Sequence, residues 1–367
     1  MSDRPVGVGL VGLGNSGWHY HADAVLSRSP DFALAAVCSR SETRARAAAA
    51  RFGGTPSTDW RRVLDHPGVE LVVLALPHHL HREVAVAAAQ AGKHVLVEKP
   101  MATTAADADA MAAAADRAGV LLTVHQQRRW EADFVALRAL VEGGAVGEPR
   151  IVEVTRSHAG RYRTSGEGSP HTGDDVLPWA HERASGGGVS WVIGPHPVDH
   201  LLQLAGSPAT HVAGRTTTTP GDDVEDHLGM DVRFASGLLG RVDVHRRPGV
   251  ALPRFTVFGT RGTLVARGGT SVEVHPFDAE PSVVEGLAPP GRHGEEVYAG
   301  LHAAIRRGAP LPVTAAQGRD VVALIEAALT SAARGGQQVA CEPRPPHAGG
   351  VTERTPAAAG PSSGAAS

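Results

Sequence analysis

The stretch Val6-Gly7-Val8-Gly9-Leu10-Val11-Gly12-Leu13-Gly14-Asn15-Ser16-Gly17 carries the decision about the fold. Residues 6–11 form a short apolar run that stops at a glycine, which reads as a buried strand. The glycines then follow the spacing G-x-G-x-x-G, and a helix is expected from about residue 14 to 27. In a strand–turn–helix of this kind Gly12 permits the tight turn, Gly14 leaves the backbone bare for an anionic group, and Gly17 lets the helix pack on the strand. Unpaired N–H groups at the start of such a helix attract phosphate. Gly12, Gly14, Asn15, Ser16 and Gly17 are therefore the candidate contacts of a pyrophosphate.

The motif gains weight from the pattern that follows it. Strands are expected at residues 32–38, 71–76, 94–98 and 120–125, with helices at 43–52, 81–91 and 105–118, several of them stopped by Gly92, Pro100 or Gly119. Strands alternating with Ala-rich helices make βαβ units, so residues 1–128 read as an α/β dinucleotide-binding domain, a Rossmann-type doubly wound parallel sheet. Beyond Arg129 the texture changes. Helix is expected at 132–142 and strand at 150–156, then a loop at 160–175, the run Gly186-Gly187-Gly188 and a helix carrying His196. Turn-linked strands at 212–218, 227–234, 240–245, 253–258 and 262–266 imply an open, mainly antiparallel sheet, closed by helices at 297–307 and 318–334. Residues 129–341 thus read as a second α/β domain for substrate binding and oligomerisation. Residues 342–367, rich in Pro, Ala, Gly and Ser, read as a disordered tail.

Composition narrows the partners. The 367 residues hold 35 basic and 38 acidic side chains, a net charge of -3, which gives no broad attraction to nucleic acid or an anionic membrane surface. No stretch reaches the roughly 20 apolar residues of a membrane span, and the start Met1-Ser2-Asp3-Arg4-Pro5 lacks the marks of a secretory signal. Cys38 and Cys341 stand far apart without metal-ligand spacing, which suits a cytoplasmic chain. Among 20 histidines, His78-His79-Leu80-His81 and the pair His196/His200 resemble ligand clusters, but the pair lacks both the Glu after its first His and a third ligand, and His78 and His79 read as loop residues, so no metal is expected. Only two of the 35 basic residues, Lys93 and Lys99, are lysines. A lysine in an arginine-rich chain points to a role for a compact ammonium that can give up a proton.

The second strand ends Val37-Cys38-Ser39-Arg40-Ser41. A carboxylate there would accept from the ribose 2'-hydroxyl of NAD; Ser39 and Arg40 can instead donate to a 2'-phosphate, which favours NADP over NAD. Residues 94–98 form a buried strand ending in Glu98-Lys99-Pro100, and ligands of open α/β sheets lie outside such strand ends.

Three further blocks accompany the glycine loop: Leu76-Pro77-His78-His79-Leu80-His81, Ala91-Gly92-Lys93-His94-Val95-Leu96-Val97-Glu98-Lys99-Pro100, and Gly186-Gly187-Gly188 with His196 and Asp199. Together the chain resembles the Gfo/Idh/MocA oxidoreductases, the family of glucose-fructose oxidoreductase and inositol dehydrogenase, from about residue 6 to 340. The resemblance implies an NAD(P)-dependent dehydrogenase or reductase moving hydride between nicotinamide and a hydroxyl or carbonyl carbon of a sugar, cyclitol or related polyol. It implies that Lys99 reaches both nicotinamide and substrate and that His196 is the general acid/base. It sets Pro77, His81, Glu98 and Arg129 near the cofactor, with Arg129 alternatively tying the domains, and His158 in the substrate pocket. It also implies a homodimer or homotetramer joined through the open sheet.

One position departs from the family pattern. The aspartate of its D-x-x-x-H pair is replaced by Val192, which on a continuous helix would share a face with His196. Valine can neither orient the imidazole nor stabilise its charge, unless Asp175 or Glu182 takes over. Two other functions stay open on these residues: an NAD-dependent glycosidase-type hydrolase using transient oxidation, and a non-catalytic cofactor-binding sensor.

Overall fold

A computed structural model describes residues 4–157, 178–246, 250, 252–289 and 294–342. Six parallel strands form the first sheet: β1 (Val6–Val11), β2 (Phe32–Cys38), β3 (Thr55–Ser57), β4 (Leu71–Leu74), β5 (His94–Val97) and β6 (Leu122–Val124). Their order is β3-β2-β1-β4-β5-β6. The chain reverses its direction of growth between β1 and β4, so a crevice opens beyond the carboxyl ends of the strands. Strands β1 and β4 are wholly buried, as continuous Val/Leu runs must be when helices cover both faces.

The helix after the glycine loop spans Ser16–Leu26 and is wound as a π-helix, with the Ser27 N–H reaching back five residues to the Ala22 carbonyl at 2.9 Å. Expectation placed its start two residues earlier. The helix buries Trp18, His19 and His21, and such windings concentrate at functional sites.

The second sheet has nine strands: β7 (Pro149–Ser157), β8 (Ala209–Thr217), β9 (His227–Phe234), β10 (Leu239–His245), β11 (Phe255–Gly259), β12 (Gly262–Ala266), β13 (Val272–Pro276), β14 (Ser282–Val284) and β15 (Val339–Ala340). Their order is β14-β13-β12-β11-β7-β10-β9-β8-β15, antiparallel throughout except for the parallel pair β7 and β10. Strands β3, β13, β14 and β15 were not expected from sequence; all have five residues or fewer and carry little pattern. On β7 the side chains alternate: Val152 and Val154 are buried toward the covering helices, and Arg156 continues that row. The opposite face exposes Ile151, Leu239 and Phe258.

Two helices cross between the lobes. Glu295–Arg307 buries Val297, Tyr298, Leu301 and Ala304 in one core with Val6, Val8, Leu10 and Phe32 of the parallel sheet. The expected assignment of all of 129–341 to the second domain therefore differs from the packing here, because this amphipathic face fits the first sheet. Ala315–Ala333, opened by a capping box between Thr314 and Gln317, packs on β8 and also on the first-lobe helix Ala105–Ala118. Across the same seam, Thr123 donates to the Val313 carbonyl at 2.6 Å. Among the described residues no helix is long and apolar enough to cross a membrane. Of the expected tail, residues 343–367 lie outside the described residues.

Candidate active site

The glycine loop divides its labour in the way its spacing suggests. Gly12 has φ +99°, and a Cβ there would sit 2.1 Å from the Ala75 carbonyl oxygen. At Gly17 a Cβ would lie 1.9 Å from the Gly12 carbonyl oxygen. Gly14 is different, since a Cβ there meets nothing within 4 Å. The first and third glycines are thus demanded by the chain's own backbone, while the second faces open space at the mouth of a helix. Asn15 adds a buried side-chain oxygen without a partner among the described residues, and half-buried Ser16 begins the helix. This cradle suits the pyrophosphate of a dinucleotide.

At the end of β2 the Ser39 side chain is buried and its hydroxyl accepts from the Ser41 N–H at 3.3 Å, while Arg40 is exposed. Beyond β4, half-buried Pro77 begins a short turn of helix, and the Leu80 N–H bonds its carbonyl at 3.0 Å. His78 and His81 do not act as a ligand pair. His78 Nδ1 lies 2.7 Å from the Gly186 carbonyl, tying the triple-glycine loop of the second lobe to the first. His81 is sealed, with Nδ1 2.9 Å from the Pro100 carbonyl and Nε2 3.0 Å from the Leu76 carbonyl. Burial lowers its pKa, so the ring is neutral and fastens the loops that carry Pro77 and Lys99.

Glu98 and Lys99, adjacent in sequence, face opposite ways. The Glu98 carboxylate points inward, where one oxygen lies 3.1 Å from His21 Nε2 and 3.1 Å from His125 Nδ1. Its other oxygen accepts from the Lys99 N–H at 3.0 Å. Behind it, His21 Nδ1 is 2.8 Å from the Tyr298 hydroxyl. Burial by itself would push the Glu98 carboxyl up; the charges and hydrogen bonds of His125 and His21 outweigh it and hold Glu98 well below the usual carboxylate range. Burial, with the Glu98 charge second, keeps Tyr298 a phenol. Tyr298 therefore donates to His21 Nδ1, and the neutral His21 donates from Nε2 to Glu98. Sequence reading missed His21, His125 and Tyr298, which come from the glycine-loop helix, the end of β6 and a helix almost at the chain's end. Only the position of His125 beyond a strand terminus offered a local sign.

The Lys99 ammonium donates to the Val192 carbonyl at 2.8 Å. Val192 and His196 do not share one helix, contrary to expectation. A four-residue helix ends at Val192, and the next begins at Pro195, since proline has no N–H to continue the first. Position 192 thus serves through its backbone, supplying an acceptor that any residue would supply. Burial lowers the Lys99 pKa from 10.5 to about 8; the Glu98 charge opposes the fall, and those of Arg128 and Arg156 deepen it. His196 is buried with its Nδ1 unpartnered among the described residues. Burial first, then the charges of Lys99, Arg128, Arg156 and His200, hold its pKa well below 6.5, so the imidazole is neutral. The Lys99 charge thus reaches His196, and the Lys99 ammonium contacts the backbone four residues before it. Exposed Glu182 instead accepts from the Ser185 hydroxyl at 3.0 Å. Asp175 and the expected substrate contact His158 lie outside the described residues.

Near this pair stand two arginines, Arg156 and Arg254, that sequence reading did not single out. Arg156, His196, His200 and Arg254 line one narrow crevice with Val154, Thr155 and Pro197. Arg129, proposed for either cofactor or domain contact, is buried and makes a bidentate pair with Asp199 at 2.8 and 2.5 Å. Its remaining amine donates to Gln317 Oε1 at 2.8 Å, so the guanidinium is occupied in joining the lobes. Two triads bring metal-type ligand atoms within 4.8 Å of one another, His21/Glu98/His125 and His227/Asp243/His245, and neither is among the clusters that sequence suggested.

Comparison with known proteins falls in line with this geometry. Residues 6–126 match an oxidoreductase family with an NAD-binding Rossmann fold, and residues 134–265 match the GFO/IDH/MocA C-terminal domain. The chain is 28% identical over 295 residues to the scyllo-inositol 2-dehydrogenase (NADP(+)) of Bacillus subtilis, covering 73% of this chain and 78% of that protein. It is 33% identical over 263 residues to the 1,5-anhydro-D-fructose reductase of Ensifer adhaerens, covering 71% of this chain and 75% of that one. Levoglucosan dehydrogenase, solved in complex with NADH and levoglucosan, superposes with a TM-score of 0.76 at 26% identity over 92% of this chain and 99% of its own. Both lobes match the same family in the same order, over most of the length of proteins that share its chemistry. The chain therefore belongs to the Gfo/Idh/MocA family and is an NAD(P)-dependent oxidoreductase.

Proposed function

We propose that the chain transfers hydride at a hydroxyl-bearing carbon of a sugar, cyclitol or related polyol, with Lys99 and His196 as its catalytic residues. The observation that carries this reading is the Lys99 ammonium beyond the end of β5, which donates to the Val192 carbonyl at 2.8 Å and whose charge acts on buried, neutral His196 four residues later. Bound in the crevice, a nicotinamide dinucleotide supplies the hydride acceptor or donor. Lys99 as an ammonium donates to the substrate oxygen and stabilises negative charge developing there, while neutral His196 takes the hydroxyl proton in oxidation and returns it in reduction. A neutral imidazole needs no carboxylate to stabilise it, which accounts for valine at 192. The lysine still has a fixed acceptor in the Val192 carbonyl, which favours catalysis over a sensor without chemistry.

NADP is the favoured cofactor, on the absence of an acid at Ser39 and Arg40 and the exposure of Arg40. The outer face of the second sheet, which exposes Ile151, Leu239 and Phe258 around the ion-paired Arg241, Glu153 and Asp231, supports a homodimer or homotetramer, and the two free cysteines suit the cytoplasm. The test is a screen of polyols and their ketones with both cofactors, followed by nicotinamide absorbance. Turnover of at least one pair supports the reading. Glycoside cleavage without net absorbance change replaces it with the transient-oxidation hydrolase, and cofactor binding with every polyol and ketone inert replaces it with the sensor.

A further inference from the structure

On the outer face of the second sheet two neighbouring strands bring three ligand-type side chains together. His227 opens β9 and His245 closes β10, and the antiparallel register sets them directly opposite each other. Asp243 stands two residues before His245 and shares its face, whereas Val242 and Val244 are buried on the other. The two imidazole rings lie 4.7 Å apart between centroids, and His227 Nε2 is 3.3 Å from Asp243 Oδ1. One ligand atom from each of the three lies within 4.8 Å of the other two. A tetrahedral zinc ion, with bonds of about 2.0 to 2.2 Å to nitrogen and carboxylate oxygen, holds its ligand atoms about 3.3 to 3.5 Å apart. The His227–Asp243 separation already has that value, and His245 closes the remainder by turning its side chain.

We propose that His227, Asp243 and His245 bind a zinc ion that clips β9 to β10, with water completing the tetrahedron. Two imidazole nitrogens and one carboxylate oxygen form a donor set that zinc accepts, whereas magnesium and calcium ask for oxygen throughout. The side chains of His227 and Asp243 keep 18% and 22% of their exposure, so an ion reaches them from solvent. Burial by itself would raise the Asp243 pKa; the His227 hydrogen bond and the Arg215 charge outweigh it and keep the carboxylate ionised. Burial first and the His227 charge next lower the His245 pKa, which leaves that ring the neutral ligand zinc requires. Arg215 donates to Asp243 at 3.4 Å and orients it, as outer partners of a metal ligand do, and its charge is shared with Asp231 at 2.9 Å. The site does not depend on the redox reading, since these side chains face away from the helix that carries His196, which packs on the buried side of β7 and β10.

The test titrates zinc into the full chain, stripped of metal by a chelator and carrying no histidine tag, and follows the heat of binding and the thermal midpoint. One ion per chain is expected, with a Kd of about 10 μM or tighter and a midpoint that rises with zinc concentration. His227→Gln, His245→Gln and Asp243→Asn each weaken that binding by about a hundredfold or more, beyond the tenfold to hundredfold that loss of an outer partner costs. Cobalt in place of zinc shows the visible bands of a tetrahedral site in the native chain and not in the three variants, and millimolar magnesium does not displace it. The metal-free circular dichroism and the dinucleotide affinity of each variant, both expected unchanged, identify any that misfolds. Because His227 and Asp243 stand on different strands, one failed variant leaves the other to decide. Binding weaker than about 10 μM, zinc affinity that persists in the folded variants, or a loss confined to one of the three overturns the proposal.

Discussion

Burial, aided by the charges of Arg128 and Arg156, lowers the Lys99 pKa to about 8 against one opposing carboxylate, and Glu98→Gln removes that carboxylate's charge. The amide keeps the shape and leaves an oxygen to accept from His21 and His125; the acceptor of the Lys99 N–H and the negative charge are lost. An opposite charge in such proximity shifts a pKa by about 1 to 3 units. Removing a negative charge disfavours the ammonium, so the Lys99 pKa falls from about 8 to about 7 or lower. The assay is kcat/KM for polyol oxidation between about pH 6 and pH 10. The native profile is flat on the acid side, because His196 is already neutral there, and declines as pH rises through the Lys99 pKa. In Glu98→Gln that decline starts about one unit lower or more, so that at pH 8 activity falls about fivefold or more. Lys99→Gln has no such limb and a much lower plateau. An alkaline limb that stays in place in Glu98→Gln, or moves upward, refutes the assignment of Lys99 as the titrating acid.

Lys99→Met should stabilise the fold near neutral pH while abolishing turnover. The folded lysine has the lowered pKa, so the cost of burying the ammonium is fully present below about 8, shrinks between about 8 and 10.5 as only the unfolded chain stays charged, and is gone above. Allowing for the partial exposure of the side chain, the gain is on the order of 1 to 3 kcal/mol, read from thermal melts across that range, and a loss of stability at pH 7 contradicts it. Gly12→Ala, with φ +99° and a carbonyl 2.1 Å from the new Cβ, should cost about 2 kcal/mol or more. Gly14→Ala should change stability by less than about 1 kcal/mol yet weaken dinucleotide binding roughly tenfold, and unchanged affinity by fluorescence titration would mean that no phosphate approaches there. Arg129→Met strands buried Asp199 and should cost about 3 to 5 kcal/mol in urea unfolding. A small stability loss with a large loss of dinucleotide affinity would instead make Arg129 a cofactor contact.

Much of the first lobe was legible because each βα unit announces itself locally. Apolar runs of Val and Leu end at Gly12, Pro77 and Pro100, and helices carry stops such as Gly92 and Gly119. The same logic put Lys99 beyond a strand terminus. The short strands β3, β13, β14 and β15 had too few residues for alternation to show. The helix expected to hold both Val192 and His196 breaks at Pro195, whose sequence signal is plain once a proline is read as a start rather than as a tolerated interior residue. His21, His125 and Tyr298 carried no shared local pattern, since they converge from three separate elements.

Sequence alone determined the alternation of strand and helix, the glycine turn and the strand end on which Lys99 stands, because these follow from backbone sterics and the period of apolar residues within a few positions. Tertiary structure alone decided that Glu98 turns inward to two histidines, that the Val192 carbonyl takes the place of a side chain, and that Arg129 joins the lobes. Those outcomes depend on desolvation and on charge–charge distance, and both are set only when segments as remote as residues 21, 98, 156 and 298 pack around one crevice.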